Sequence, residues 1–208
     1  MSTDNIPEVF IIESLYPDDR ENQRKEGDII ARILKMGGRE PEYRYVKTRE
    51  EFRGALNEFA QKNYRYLHLS CHGASDHLSG EFGEIYFHEL GPMIKDVPDK
   101  FRLFVSACET VNHEDHLLAN ALLWNTECIS VIGSAEPIDF DDATMFWSTF
   151  YYQAYREKKN ELKLSRSMIL KVLKKTTSIF PLKINYYSTG KRNKIDLYRF
   201  MDGKKQRL

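Results

Sequence analysis

The sequence predicts an α/β protein in which a central, mostly parallel sheet carries helices on both faces and ends in a C-terminal β-hairpin. From Glu8 to Leu69, apolar runs alternate with segments of helical periodicity in the order strand, helix, strand, helix, strand. Strands separated in this way pair in parallel, and the helices pack against the sheet. Near the C-terminus, two strand-like segments, Ile184–Tyr187 and Ile195–Phe200, flank a turn at Gly190–Lys194. The chain contains no repeat or low-complexity segment, so we expect a single domain over residues 1–208.

The individual elements carry local signals for their ends. Gly37-Gly38 ends the first helix, and Thr48 with Glu51 forms a capping box at the start of the second. The segment Gly73–Lys100 breaks the alternation and is predicted to be a long functional connection. The predicted strands of the parallel region are Glu8–Ile12, Tyr43–Val46, Tyr66–Leu69, Phe101–Ser106 and Glu127–Ile132, and the predicted helices are Arg20–Met36, Thr48–Lys62, His116–Leu123, Thr144–Lys158 and Leu162–Lys175.

Composition and charge argue against several classes of protein. Lys+Arg and Asp+Glu both number 31, so the neutral chain gives no electrostatic reason to expect nucleic acid or a membrane as a partner. No window approaches the ~20 apolar residues that span a bilayer. The start of the sequence lacks the basic and then apolar pattern of a signal peptide, so we expect a cytoplasmic protein. A basic stretch after Gly190 is compatible with a nucleic-acid or lipid patch, but a solvated tail is the simpler interpretation.

The strongest candidates for chemistry follow two predicted strands. The segment YLHLSCHG begins as a strand and ends with His72 and Gly73. The segment FRLFVSACET begins as a buried strand, which ends just before Cys108. In an open α/β sheet, functional side chains collect at the carboxyl ends of neighbouring strands. An imidazole near a thiol can remove its proton or stabilise the thiolate, and a glycine can present its N–H to an oxyanion. The pattern therefore predicts an acyl-transfer site with Cys108 as nucleophile and His72 as base.

Simpler interpretations stand beside this one. A histidine and a cysteine at strand ends can both be structural, and the three cysteines Cys71, Cys108 and Cys128 suit buried small residues in a reducing compartment. A zinc site is disfavoured because no CxxC or HExxH frame is present and Cys71 is expected to face away from its neighbouring histidines. We expect no metal and no cofactor. The candidate zinc ligands in this region are His68, Cys71, His72, Cys108, His113 and His116.

The two motifs, in this order, resemble those of the caspase-like cysteine proteases of clan CD, in particular the CHAT domains related to separase. The similarity extends from Glu8 to about Leu173. It implies a three-layer caspase-like sandwich, His72 as general acid and base, Cys108 as nucleophile, and an oxyanion hole built from the Gly73 and Cys108 N–H groups. It also implies a protein substrate, and an activating protein partner is possible. By family analogy, the setting is a bacterial defence or death system.

The resemblance places a specificity pocket beside the fifth strand, where acidic residues cluster. Glu136 and Asp139 are the candidates for substrate binding, because a carboxylate would favour a basic residue before the scissile bond. Asp141 and Asp142 instead suit the N-terminal turn of the helix that follows. The sequence thus predicts a cysteine endopeptidase that cleaves after a basic residue. The alternative is a catalytically silent caspase-like adaptor, favoured by the absence of helical repeats and by Ala135-Glu136 preceding Pro137 where many family members carry tryptophan.

Overall fold

The computed structural model describes residues 9–62, 64–94, 96–97, 99–112, 116–157, 164–190 and 194–208. Strands and helices alternate along most of the chain, and antiparallel strands close its C-terminal end. The strands are β1 Val9–Ser14, β2 Glu42–Tyr45, β3 Tyr66–Gly73, β4 His77–Gly80, β5 Gly83–Tyr86, β6 Phe101–Ser106, β7 Cys128–Ser134, β8 Ile184–Thr189, β9 Ile195–Met201 and β10 Lys204–Arg207. The helices are α1 Pro17–Glu21, α2 Glu26–Met36, α3 Arg49–Gln61, α4 Phe87–Ile94, α5 Leu117–Leu123, α6 Phe140–Glu157 and α7 Arg166–Thr176.

A single twisted sheet forms the middle layer, with the strand order β10-β9-β8-β7-β6-β3-β1-β2. Strands β2, β1, β3, β6 and β7 are parallel to their neighbours, whereas β8, β9 and β10 continue the sheet in antiparallel pairs. The central strands β1 and β6 are almost wholly buried, as expected for parallel strands that are covered on both faces. This confirms the predicted mostly parallel sheet with a C-terminal hairpin. The short edge strand β10 was missed.

Two hydrophobic cores cover the two faces of the sheet and complete the three layers. Helices α3, α4 and α5 pack on one face, where Phe52, Phe59 and Leu122 are buried. Helices α2, α6 and α7 pack on the other, where Phe104 of β6 contacts three aromatic side chains of α6 with ring centroids 5.4 to 5.9 Å apart. The helices are amphipathic because each buries only the stripe that meets the sheet.

Two sequence predictions need correction. The single predicted helix Arg20–Met36 is wrong, because the chain breaks at Gln23, which takes a left-handed backbone with φ of 62° and separates α1 from α2. The predicted long connection Gly73–Lys100 is more regular than expected, although its strand-like piece at Ile85–Phe87 overlaps β5. It holds the antiparallel pair β4 and β5, turned at Gly83 with φ of 85°, and then helix α4. These elements are short, so their buried side chains do not repeat often enough to reveal a period.

Within the described residues, no helix combines the length and the apolar character needed to cross a bilayer.

Candidate active site

His72 and Cys108 lie together at the carboxyl ends of the adjacent strands β3 and β6. The strands pair in parallel with Ser70 opposite Ser106, which places the residues that follow at one edge of the sheet. Both side chains line one small pocket of about 30 Å³, room for roughly one or two water molecules. Ile138 and Phe140, the first residue of α6, also line the pocket, and Cys108 and His72 remain partly exposed.

The backbone around Cys108 is arranged to present its thiol to this pocket. The next residue, Glu109, adopts a left-handed conformation with φ of 57°, so the chain turns sharply directly after the cysteine. Within the described residues, no acceptor takes a hydrogen bond from the Cys108 amide. The sulfur faces the backbone of Ile138, whose N–H donates to Sγ at 3.5 Å and whose carbonyl accepts from Sγ at 3.6 Å. Residue 138 thus covers the nucleophile candidate.

Gly73 packs so tightly against the turn that follows β6 that no larger residue fits. A Cβ at position 73 would lie 2.4 Å from Thr110 Cγ2, 3.0 Å from Ala107 Cβ and 3.3 Å from the Cys108 carbonyl oxygen. The absence of a side chain therefore lets the backbones of Gly73 and Cys108 approach each other. This proximity is what a shared oxyanion site between the two residues requires.

The His72 ring is held by a carboxylate and by two aromatic side chains. Its Nε2 lies 2.7 Å from Asp19 Oδ2, and Arg24 in turn binds Asp19 at 2.7 Å. Tyr16 stacks on the ring with centroids 4.6 Å apart, and Phe140 meets it edge-on at 5.5 Å. With Nε2–H donating to Asp19, Nδ1 is the nitrogen left to exchange a proton.

Asp19 is the residue that sequence reasoning missed. The Pro17-Asp18-Asp19 segment has the composition of a turn and helix start, and nothing local distinguishes the second aspartate from the first. Its partner His72 lies 53 residues further along the chain. The link depends on α1 folding back over the end of β3, which no local pattern encodes.

A buried polar cluster lies beneath the pocket on the α2 side of the sheet. Glu13 accepts hydrogen bonds from the Gly27 amide at 2.7 Å, the Tyr43 hydroxyl at 2.6 Å and the Ser70 hydroxyl at 3.2 Å. Burial, the dominant cause, raises the pKa of Glu13 to about 7 despite these bonds. Glu26 accepts from the hydroxyls of Ser70 at 3.1 Å and Ser106 at 2.8 Å, and it also lines the pocket.

The other histidines and cysteines near the site have structural partners. His68 Nδ1 lies 2.9 Å from the Tyr151 hydroxyl. Cys71 packs against the core on the opposite face of the sheet, but it also lines the pocket of Cys108, so the prediction that it faces away from the site holds only in part. Cys128 is buried, and desolvation raises the pKa of its thiol to about 12. Within the described part of the chain, no group of three or more His, Cys, Asp or Glu side chains is placed to hold a metal ion. His113 lies outside the described residues.

The acidic candidates after β7 lie outside the pocket of Cys108. Glu136 is exposed and pairs with Lys183. Asp139 is exposed and lines a separate groove of about 610 Å³ with Arg24, Phe140 and other residues of α2 and α6. Asp141 and Asp142 lie in the first turn of α6, where a helix dipole favours acidic side chains.

Comparison with known proteins agrees with this architecture. Residues 9–177 match the CHAT domain family, which covers the parallel sheet and both pocket-lining motifs. The chain belongs to the CHAT domain family. This confirms the resemblance noted in the sequence, and strands β8 to β10 of this CHAT protein lie beyond the matched region. No curated protein matches the chain significantly.

Among solved structures, the CHAT chain is similar to a secreted C11 cysteine protease from Bacteroides thetaiotaomicron, iotapain, with a TM-score of 0.59 and 12% identity over 87% of this chain and 66% of that one. It therefore spans slightly less than two thirds of the length of the C11 protease. It is also similar to pro-Sf-caspase-1, with a TM-score of 0.52 and 10% identity over 86% of this chain and 84% of that one. At these identities the likeness establishes a caspase-like fold.

Proposed function

We propose that this protein is a cysteine endopeptidase in which Cys108 and His72 form a dyad that cleaves a protein substrate after a basic residue. The observation that carries the proposal is that both side chains line one pocket at the carboxyl edge of two adjacent parallel strands in a CHAT fold. The expected absence of a cofactor fits this chemistry, because a thiolate, an imidazole and backbone amides are sufficient for acyl transfer.

The reaction follows from the arrangement. Cys108 loses its thiol proton to His72 Nδ1, and the thiolate attacks the substrate carbonyl carbon. The resulting oxyanion is stabilised by the N–H groups of Cys108 and Gly73. His72 then gives its proton to the leaving amine, and a thioester remains on Cys108. A water molecule, deprotonated by His72, hydrolyses the thioester, releases the acid product and returns the thiol.

The function is tested by incubating the protein with purified candidate substrates, first the proteins encoded beside it, and sequencing new N-termini. We expect one or a few cuts directly after Arg or Lys, absent with Cys108→Ala. Fluorogenic peptides ending in Arg, Lys or Asp give the same comparison without a known substrate. Faster cleavage after Asp would contradict the basic preference. Cleavage that persists in Cys108→Ala would contradict the proposed nucleophile.

Asp19 is proposed to position His72, so Asp19→Asn is expected to lower kcat by about 100-fold with little change in KM. The amide can present its N–H₂ to Nε2, which favours the wrong tautomer and ring orientation. Asp19→Glu keeps the charge and should restore part of kcat, which a purely structural role would not predict.

The matched control for Asp19 is Asp18→Asn, which changes an exposed carboxylate in the same short helix. It should keep wild-type kcat. Equal losses in the two variants, or a loss of kcat that follows a fall in melting temperature, would contradict a positioning role for Asp19.

A silent interaction module is the second candidate, and the small volume of the pocket at Cys108 favours it. Ile138 covers the sulfur, and the pocket has room for little more than water. The same small pocket also suits a peptidase in which the pocket widens when a substrate or an activating protein partner binds. The two candidates differ in the reactivity that they predict for Cys108.

A further inference from the structure

We propose that Glu26 is the residue that recognises the basic side chain of the substrate, in place of Glu136 and Asp139. The inference rests on the proposed peptidase function and assigns its specificity to a residue for which the sequence carried no signal. It depends on where Glu26 lies, on an oxygen without a hydrogen bond and on the lack of a lysine or arginine partner among the described residues.

Glu26 is brought to the pocket by the start of α2. It is the first residue of that helix and only 3% exposed, and its side chain lines the pocket together with His72 and Cys108. The pocket floor also includes Ser106, two residues before Cys108 in the chain. A substrate side chain that enters beside the Cys108 sulfur therefore meets the Glu26 carboxylate.

One oxygen of this carboxylate has no hydrogen-bond partner within the described residues. Oε2 accepts from the hydroxyls of Ser70 and Ser106, whereas Oε1 is buried and unsatisfied. The nearest charged or chargeable partner is His68 Nε2 at 3.8 Å, too far for a hydrogen bond, and that nitrogen is unsatisfied as well. Several buried side-chain atoms of this protein share this state, but Glu26 also lines the Cys108 pocket, so its free oxygen can accept from a donor that enters there.

The charge balance points to a cationic ligand. No lysine or arginine among the described residues forms an ion pair with Glu26, whose recorded neighbour is the imidazole of His68. A buried carboxylate is stabilised by a cation that makes direct hydrogen bonds, and arginine or lysine supplies both. Glu136 differs from Glu26 in both burial and pairing, because its side chain is exposed and already forms an ion pair with Lys183.

Substrate entry requires a local rearrangement. The pocket of about 30 Å³ is smaller than a lysine or arginine side chain, and Ile138 and Phe140 form its outer wall. Their segment has to move outward as the basic side chain enters. Phe140 borders both this pocket and the groove that contains Asp139, so the movement would join the two.

The test compares peptide substrates that end in arginine with those that end in citrulline, which has nearly the same shape but no charge. We expect the wild type to prefer arginine and Glu26→Gln to lose about 10- to 100-fold of kcat/KM on arginine alone. Gln keeps an oxygen that can accept from Ser70 and Ser106. Glu136→Gln is the matched control and should keep the wild-type preference.

A second measurement needs no variant. Agmatine, which carries the guanidinium of arginine, should slow alkylation of Cys108 in the wild type, whereas a neutral alkyl amide of similar length should not. An equal loss on arginine and citrulline in Glu26→Gln would overturn the assignment. So would the absence of agmatine protection. If Cys108 is alkylated rapidly in the wild type and the enzyme cleaves the arginine and citrulline peptides equally well, the proposed role of Glu26 is wrong but the peptidase proposal is not contradicted. If the enzyme cleaves neither peptide and Cys108 is alkylated no faster than Cys128, the peptidase proposal itself is contradicted.

Discussion

Iodoacetamide should alkylate Cys108 at least about 1,000-fold faster than Cys128 in the native protein at neutral pH. The thiolate is the reactive form, and burial raises the pKa of the Cys128 thiol to about 12, so only about one molecule in 10⁵ carries that thiolate at pH 7. Burial also raises the pKa of Cys71 well above the usual range, and the charge of Glu26 adds to this effect. Cys108 instead faces a pocket that contains an imidazole.

The alkylation experiment is read by peptide mass spectrometry over a time course. Because the pKa of Cys128 is raised, its labelling should increase only as the pH rises toward 12, and it should stay negligible near neutrality. His72→Ala should slow labelling of Cys108 without exposing the other two cysteines. Unfolding in denaturant should make the three thiols similar. Equal labelling of all three cysteines in the folded protein would favour the silent module over the peptidase.

Gly73→Ala should lower kcat by about 100- to 1,000-fold while the protein remains folded. The added Cβ would lie 2.4 Å from Thr110 Cγ2, closer than real contacts allow, and 3.3 Å from the Cys108 carbonyl oxygen. The turn that carries Cys108 must therefore shift away from β3. This movement would separate the two backbone amides proposed to bind the oxyanion, and it would change the position of the sulfur relative to His72.

Two further variants separate this effect from a general loss of stability. Gly54→Ala is the control, because its Cβ would meet nothing within 4 Å on an exposed face of α3, and it should stabilise the fold by up to about 1 kcal/mol. Adding Thr110→Ser to Gly73→Ala removes the clashing methyl group and keeps the hydroxyl that donates to the Ala107 carbonyl. Part of kcat should return. Wild-type kcat in Gly73→Ala alone would contradict the predicted crowding.

Local patterns in the sequence were sufficient for the fold class. A short continuous apolar run such as Val9–Ile12 is typical of a strand whose two faces are both buried. Such runs therefore predict a parallel sheet between two layers of helices. The capping box at Thr48 was present as predicted. The secondary-structure predictions were wrong or incomplete where the elements were short, as in β4, β5 and α4, or where one residue changed the backbone direction, as at Gln23.

Sequence alone also identified the two strand ends that carry His72 and Cys108, because a strand that ends in small residues followed by a reactive side chain is a local pattern. Only the tertiary structure showed that Asp19 reaches His72 and that Glu26 lies beneath Cys108. Asp19 lies in α1 and Glu26 begins α2, 53 residues before His72 and 44 residues before Ser70, respectively. Which residue of a connection meets a distant strand depends on how the elements pack, and packing leaves no period in the sequence.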